Sequence, residues 1–213
     1  LGPQANNGTS NIGTGSVAVG YLADSIGSGS VAMGQSAISE GQNAVTIGKS
    51  ARGPNLYSVS MGYLAGNTSG SVGQTAVSIG PKSNSGTSNI GGSSVAVGSS
   101  ADSIGASSVA VGDRSIATGS GAVCIGKQAA VTGTQSVAIG QGASASGNSS
   151  FAMGSTASSA NNACVAIGSG AEADADNATA FGAGAAIHGT SGVSIGYRAG
   201  ATSGTVGTNT VTI

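Results

Sequence analysis

The chain has 213 residues, of which 40 are glycine, 6% are charged and 3% are aromatic. A net charge of −1 argues against a nucleic-acid-binding protein, because phosphate binding relies on clustered Lys and Arg. With one His, two Cys and seven acidic residues, the sequence predicts neither an enzyme nor a bound cofactor. No apolar run approaches the roughly 20 residues of a membrane helix, so we expect no membrane insertion by this segment.

One four-residue pattern recurs from Val17 onwards: an apolar residue, a small residue, a second apolar residue and glycine. Between Gly20 and Gly196 the motif glycine recurs in ten steps of fourteen residues and two of eighteen. Gly-rich and Ser-rich linkers do not keep such a phase, whereas solenoids do, because each repeat packs against its neighbours. The sequence therefore predicts a single all-β domain over residues 1–213, a β-solenoid of about 13–14 coils.

Each coil is predicted to contain two short strands. The first strand carries both apolar residues of the motif, and the leading one is Val in twelve of fourteen motifs. Because side chains alternate across a strand, these residues share one side, which we expect to fill the interior. The second strand follows the glycine and carries a column of Ala and Ser that starts at Ala23. Small residues that face large ones fill a thin interior, so we expect this column to be buried opposite Val and Ile. The eighteen-residue steps are expected to add protruding loops around residues 66–74 and 84–92.

The other side of the first strand is predicted to form an uncharged strip that faces outwards. No charged residue occupies the four positions before the motif glycine in any coil. Packing against copies of the same chain accounts for such a strip; the alternative is a sheet face on which charge was not selected. The predicted interface residues are Ala18, Ala32, Thr46, Ser60, Ser78, Ala96, Ala110, Cys124, Ala138, Ala152, Ala166, Ala180 and Ser194.

Aromatic and basic residues near the corners of the coils are the candidate contacts for a partner. Three tyrosines directly follow a motif glycine, and exposed aromatic residues are enriched in binding surfaces. The alternative is that they pack over neighbouring coils at the corner. The candidate contact residues are Tyr21, Tyr63, Tyr197, Arg198, Arg114 and Lys127.

Two smaller clusters are open to more than one interpretation. Glu172, Asp174 and Asp176 alternate along one strand, so they are either a Ca²⁺ site or a solvated acidic rim. Cys124 and Cys164 lie three coils apart, about 14 Å, which excludes a disulfide between them. Each Cys is either a small buried residue or, on the outward strip, one half of a link between chains.

Several coils resemble a known family of bacterial surface proteins. QSVAIGQGASASG (135–147) and SSVAVGSSADSIG (93–105) resemble the head repeats of YadA-like trimeric autotransporter adhesins. The resemblance implies a left-handed parallel β-roll in which three chains pack side by side, with the first strand facing the threefold axis. It also implies a rigid extracellular head, displayed at a cell surface, that attaches to host, matrix or cell-surface molecules.

The sequence departs from the family pattern, and other functions stay open. No coil has Asn directly before its SVAIG-type motif, and no neck, stalk or membrane anchor is recognisable in the chain. A viral or phage fibre segment that contacts a receptor is one alternative. An extracellular filament subunit without a receptor is another.

Overall fold

The computed structural model describes residues 2–7, 12–68, 73–86, 89–201 and 208–213. None of these described segments forms a helix long and apolar enough to cross a membrane. The chain divides into two compact units, Leu1–Ser108 and Val109–Ile213. Each unit is built from short parallel strands, because Val, Ile and Thr favour extended backbone and the motif glycine then turns the chain.

Unit 1 has six first strands among its described residues, and they pair in parallel in the order in which they occur. Val17 pairs with Val31, and Val45 pairs with Val59, so one coil separates partner residues. The strands of unit 1 are β1 (Val17–Val19), β2 (Asp24–Ser25), β3 (Val31–Met33), β4 (Ile38–Ser39), β5 (Val45–Ile47), β6 (Arg52–Gly53), β7 (Val59–Met61), β8 (Val77–Ile79), β9 (Val95–Val97) and β10 (Asp102–Ser103).

Unit 2 has eight first strands, and six of its described coils also contain a second strand. Val137 pairs with Phe151 and Ser144 with Ser158, so both ladders keep the fourteen-residue step. The strands of unit 2 are β11 (Val109–Val111), β12 (Ile116–Ala117), β13 (Val123–Ile125), β14 (Ala130–Val131), β15 (Val137–Ile139), β16 (Ser144–Ala145), β17 (Phe151–Met153), β18 (Ser158–Ser159), β19 (Val165–Ile167), β20 (Glu172–Ala173), β21 (Thr179–Phe181), β22 (Ala186–Ile187), β23 (Val193–Ile195) and β24 (Val211–Thr212).

The prediction of an all-β parallel solenoid with a fourteen-residue coil is confirmed. The left-handed winding and the single domain over the whole chain stay predictions. In the eighteen-residue steps the first strands remain in register, as the pairing of Val59 with Val77 shows. The extra residues are therefore accommodated outside the first-strand ladder. Of the predicted loops, residues 69–72 and 87–88 lie outside the described residues, and in the remainder Thr68 and Gly86 form a parallel bridge.

Asparagine side chains close the edge of the second-strand ladder in two places within unit 1. The backbone N–H of Ser25 donates to Oδ1 of Asn6 (2.9 Å), and that of Ser103 donates to Oδ1 of Asn84 (2.8 Å). In both places the asparagine replaces a preceding second strand, which satisfies a backbone donor at the sheet edge. Asn84 also donates from Nδ2 to Oγ of Ser78.

The interior of each unit is thin and holds small side chains. The Ala23 column is buried as predicted from Ala23 to Ala185, whereas Ala199 is half-buried, and the middle residue of every first strand through β23 is buried opposite it. In two places where one side carries a larger residue, the other carries glycine. A Cβ at Gly53 would overlap Oγ1 of Thr46 in unit 1, and one at Gly192 would overlap the side chain of Ile187 in unit 2.

The predicted outward orientation of the uncharged strip is therefore wrong. Its residues face the interior of their own chain and are at most 2% exposed, while the flanking Val, Ile and Met face outwards. The physical reason is volume, because an interior that closes over Ala, Ser and Gly has no room for a column of Val and Ile. The corrected residues are Ala18, Ala32, Thr46, Ser60, Ser78, Ala96, Ala110, Cys124, Ala138, Ala152, Ala166, Ala180 and Ser194.

Candidate interaction surfaces

The outward side chains of the first strands form what we call the first-strand face. Each first strand except β24 has a buried middle residue flanked by two outward residues, and all of these outward residues are apolar except Thr179. Met33 in unit 1 is 41% exposed and Phe181 in unit 2 is 52% exposed. Because parallel pairing stacks equivalent residues at about 4.8 Å, each unit carries a continuous column of apolar side chains that are exposed or half-buried. Contiguous apolar patches of this kind mark interaction sites.

The outward side chains of the second strands form the second-strand face, which has a different chemistry. In unit 1 they are Asp24, Ile38, Arg52 and Asp102, and in unit 2 they are Ile116, Ala130, Ser144, Ser158, Glu172 and Ala186. Arg52 makes a bidentate contact with Glu40, with Nη2 2.8 Å from Oε1 and Nε 3.2 Å from Oε2. Since both side chains are partly exposed, this pair adds little stability. The second-strand face is therefore a mixed surface, on which charged and hydroxyl side chains interrupt the apolar ones.

The candidate contact residues are exposed but are not brought together into one site. Tyr21 and Tyr63 lie in unit 1, three coils apart, and each is about half exposed. Tyr197 in unit 2 is 79% exposed and has Arg198 beside it in sequence. Arg114 lies 3.4 Å from Asp113, and Lys127 follows one coil later. Their role in partner contact stays a prediction.

The acidic rim is a hydrogen-bonded cluster that divides into two parts. Oδ1 of Asp176 accepts from the backbone N–H of Asn162 (2.9 Å), whereas Oδ2 of Asp174 lies 3.4 Å from Nδ1 of His188. A side-chain hydrogen bond with Asp174, followed by partial burial, raises the pKa of Glu172. Within the part of the chain that the structure describes, no three His, Cys, Asp or Glu side chains are grouped as metal ligands. The solvated-rim interpretation fits this arrangement better.

Both cysteines are free and buried within their own chain. Burial raises the pKa of the Cys124 thiol to about 11, and Sγ of Cys164 donates to the carbonyl oxygen of Asn161 (2.7 Å). A link between chains needs exposed thiols, so the burial of both contradicts that alternative. The interpretation as small buried residues is confirmed.

Sequence reasoning missed two surfaces. The first is the exposed apolar column, because hydrophobicity alone assigned Val and Ile to the interior. The second is a groove on unit 1 with a volume of about 280 Å³. The groove joins equivalent positions of two successive coils to a segment that precedes the first motif. Its lining residues are Gln4, Asn7, Leu22, Ala23, Asp24, Ser36 and Ile38. A leucine at a corner position that otherwise carries polar residues or glycine, as at Leu22 and Leu64, is a signal that could have indicated it.

Comparisons with known proteins agree with the repeat pattern. The family model of the YadA head domain repeat matches residues 25–51, 103–129, 132–157 and 165–185. Among solved structures, the collagen-binding domain of the Yersinia adhesin YadA is similar, with 27% sequence identity and a TM-score of 0.45. That similarity covers 67% of this chain and 68% of the other. No curated protein sequence matches the chain.

Proposed function

This chain is a YadA-like head domain, and from that premise we propose that it is the trimeric head of a surface-displayed adhesin. The family and the fold are those of an adhesin and not of an enzyme. In the proposal the solenoid winds left-handedly and serves as a rigid extracellular scaffold. It attaches to a host, matrix or cell-surface molecule and needs no cofactor.

The observation that carries the proposal is the exposed apolar column on the first-strand face of each unit. Monomeric proteins rarely leave a contiguous apolar surface in water, and symmetric association of identical chains removes it. Three parallel chains in register bring the same apolar residues together at every level of the coil. The number of chains comes from the resemblance to trimeric adhesin heads, while the choice of face comes from burial and charge.

The second-strand face and the corners are left for attachment. Three chains present each outward residue three times, which raises the apparent affinity for a repetitive partner through avidity. Tyr21, Tyr63 and Tyr197, with Arg114, Lys127 and Arg198, remain the proposed contact residues.

The test is to place a charge on each face of one coil and to measure the molar mass by light scattering. Met153 lies outward on the first strand β17, and Ser158 lies outward on the second strand β18 of the same coil. Met153→Asp is expected to weaken trimer formation at least about tenfold, a loss of about 1.4 kcal/mol, because three carboxylates would meet in an apolar interface. Ser158→Asp is the matched control and is expected to leave the trimer intact. Equal behaviour of the two variants would contradict the choice of face.

A further inference from the structure

The groove on unit 1 lies where the segment containing Gln4 and Asn7 meets the corner and second-strand face of the next coil. Leu22 and Ile38 supply aliphatic walls, and Asp24 supplies a carboxylate. Its volume of about 280 Å³ lies just below the roughly 300–1,000 Å³ of clefts for drug-sized ligands. The groove is therefore of a size for one long side chain of a partner.

One wall of the groove is held in place by backbone pairing. The N–H of Asn6 donates to the carbonyl oxygen of Ala23 (2.8 Å), and Oδ1 of Asn6 accepts from the N–H of Ser25 (2.9 Å). These bonds bracket Asp24 and fix the neighbouring Gln4 and Asn7 against it. A preformed site avoids part of the ordering cost of binding.

Leu22 occupies a corner position that carries a polar residue or glycine in the other coils, apart from Leu64. Its φ is +55°, in the left-handed region that this corner position adopts in most coils and in which a non-glycine side chain is disfavoured. Its side chain is 44% exposed, so burial within the chain does not fully offset that cost. An apolar residue that neither eases the turn nor fills the interior is expected to serve contact with another molecule.

Asp24 has no ion-pair partner among the described residues of the chain. Arg52, two coils further along the same outward column, is engaged by Glu40. A carboxylate flanked by aliphatic walls and side-chain amides attracts a cation on an apolar stem.

We propose that this groove binds an arginine side chain of a partner protein. Arginine fits better than lysine, because its planar guanidinium has five donors for the Asp24 carboxylate and the amide oxygens of Gln4 and Asn7. The inference rests on the proposed function, since attachment to a protein surface is what gives a site for one side chain a use.

The chain contains its own control 78 residues later. Asp102 occupies the position equivalent to Asp24, but Ser99 and Ser100 stand in place of Tyr21 and Leu22. The cavity beside Asp102 has a volume of only about 20 Å³ and is lined by Asn84, Ser85 and Gly86. Burial raises the pKa of Asp102. The equivalent position in that coil thus has a carboxylate without a groove of comparable volume.

The experiment is a titration of the full chain, ¹⁵N-labelled, with the capped peptide acetyl-Gly-Arg-Gly-amide, followed by amide chemical shifts. We expect saturable shifts at Asp24, Ser36 and Ile38 and none at Asp102. Asp24→Asn should weaken binding at least about fivefold, and Leu22→Ser about threefold. Asp102→Asn is the matched control and should bind like the unmodified chain. Unchanged spectra away from the groove establish that each variant is folded.

Two further peptides test the chemistry of the site. The citrulline peptide is neutral and similar in shape, and it is expected not to bind; equal binding would overturn the role of charge. The lysine peptide is expected to bind more weakly, and equal affinity would overturn the assignment to arginine. Absence of saturable shifts, or equal shifts at Asp102, would overturn the site. A chain that is monomeric by light scattering yet binds the arginine peptide would refute the trimeric head and leave the groove standing.

Discussion

The first-strand and second-strand faces of one coil have the same backbone design and opposite outward chemistry. In β17 the outward residues are Phe151 and Met153, whereas in β18 the outward residue is Ser158. The inward residues of both strands, Ala152 and Ser159, are small and buried. The two strands therefore differ in their outward side chains and not in the size of their inward ones.

This difference assigns the inward residues to folding and the outward residues of the first strand to association. The interior needs only small residues, so the large apolar side chains of the first strand contribute less to closing the coil than their hydrophobicity suggests. Their constancy along the chain therefore indicates a second apolar surface that packs against them. The second-strand face is mixed, and its charged residues Asp24, Arg52 and Glu172 are of the kind that stays in water.

The largest effect on stability is expected at the motif glycine, which follows the first strand and precedes the second strand of each coil. Gly140 has a φ of +137°, and a Cβ there would overlap the carbonyl oxygen of Gly154 in the next coil. Gly140→Ala is expected to lower the free energy of unfolding by about 3 kcal/mol or more, measured by urea denaturation.

Gly142 is the matched control. Its φ is +65° and a Cβ would meet only Cγ2 of Thr156, at 3.6 Å. Gly142→Ala should cost about 1 kcal/mol, and equal losses would contradict the stacking argument.

A smaller effect on stability is expected when an inward residue of the first strand is substituted, and a smaller one still for its outward neighbour. Ala152 faces the interior and Met153, its neighbour in β17, faces outwards. Ala152→Leu should reduce the free energy of unfolding by about 1–3 kcal/mol, because the interior cannot expand without strain. Met153→Leu should change it by about 0.5 kcal/mol or less. The reverse order in thermal or urea unfolding would restore the orientation predicted from hydrophobicity.

The smallest effect is the dependence of stability on pH. It is expected only from the second-strand face, because the first-strand face has no charged residue. The pKa of Glu172 is raised above 4.5 by its hydrogen bond with Asp174 and by burial. The folded state therefore favours the protonated carboxyl, and this contribution is complete below pH 4.5 and lost as pH rises through the raised pKa. Glu172→Gln should match the unmodified chain in Tm near pH 4 and exceed it at pH 7. Ser158→Gln, in the same outward column, is the control; a Glu172→Gln difference that is constant with pH would contradict the assignment.

Periodicity made the fold class, the coil length and the buried Ala23 column predictable, because each depends on a spacing repeated many times. The inward side of the first strand was not predictable from period, since a shift of one residue exchanges the two sides. The sequence contained a volume signal in Thr46 opposite Gly53 and in Ile187 opposite Gly192, but it becomes visible only when the facing positions are known.

The groove was less predictable than the coil because it depends on residues outside the repeat. Asn6 and Asn84 cap their ladders by accepting a backbone N–H bond, and a cap that occurs twice, 78 residues apart, does not show in the fourteen-residue period. Leu22 and Leu64 are the leucines at a corner position that otherwise carries polar residues or glycine, but the positive φ of this position becomes evident only once the turn is known. The exposed tyrosines were found from sequence because three of them share one position in the coil.

The central claim is that the first-strand face packs against copies of the same chain. The most direct measurement is the molar mass of the unmodified chain by light scattering, with circular dichroism on the same sample to establish β structure. The account predicts three times the 19.6 kDa mass of one chain. A mass of one chain with an intact β spectrum at micromolar concentration would contradict it.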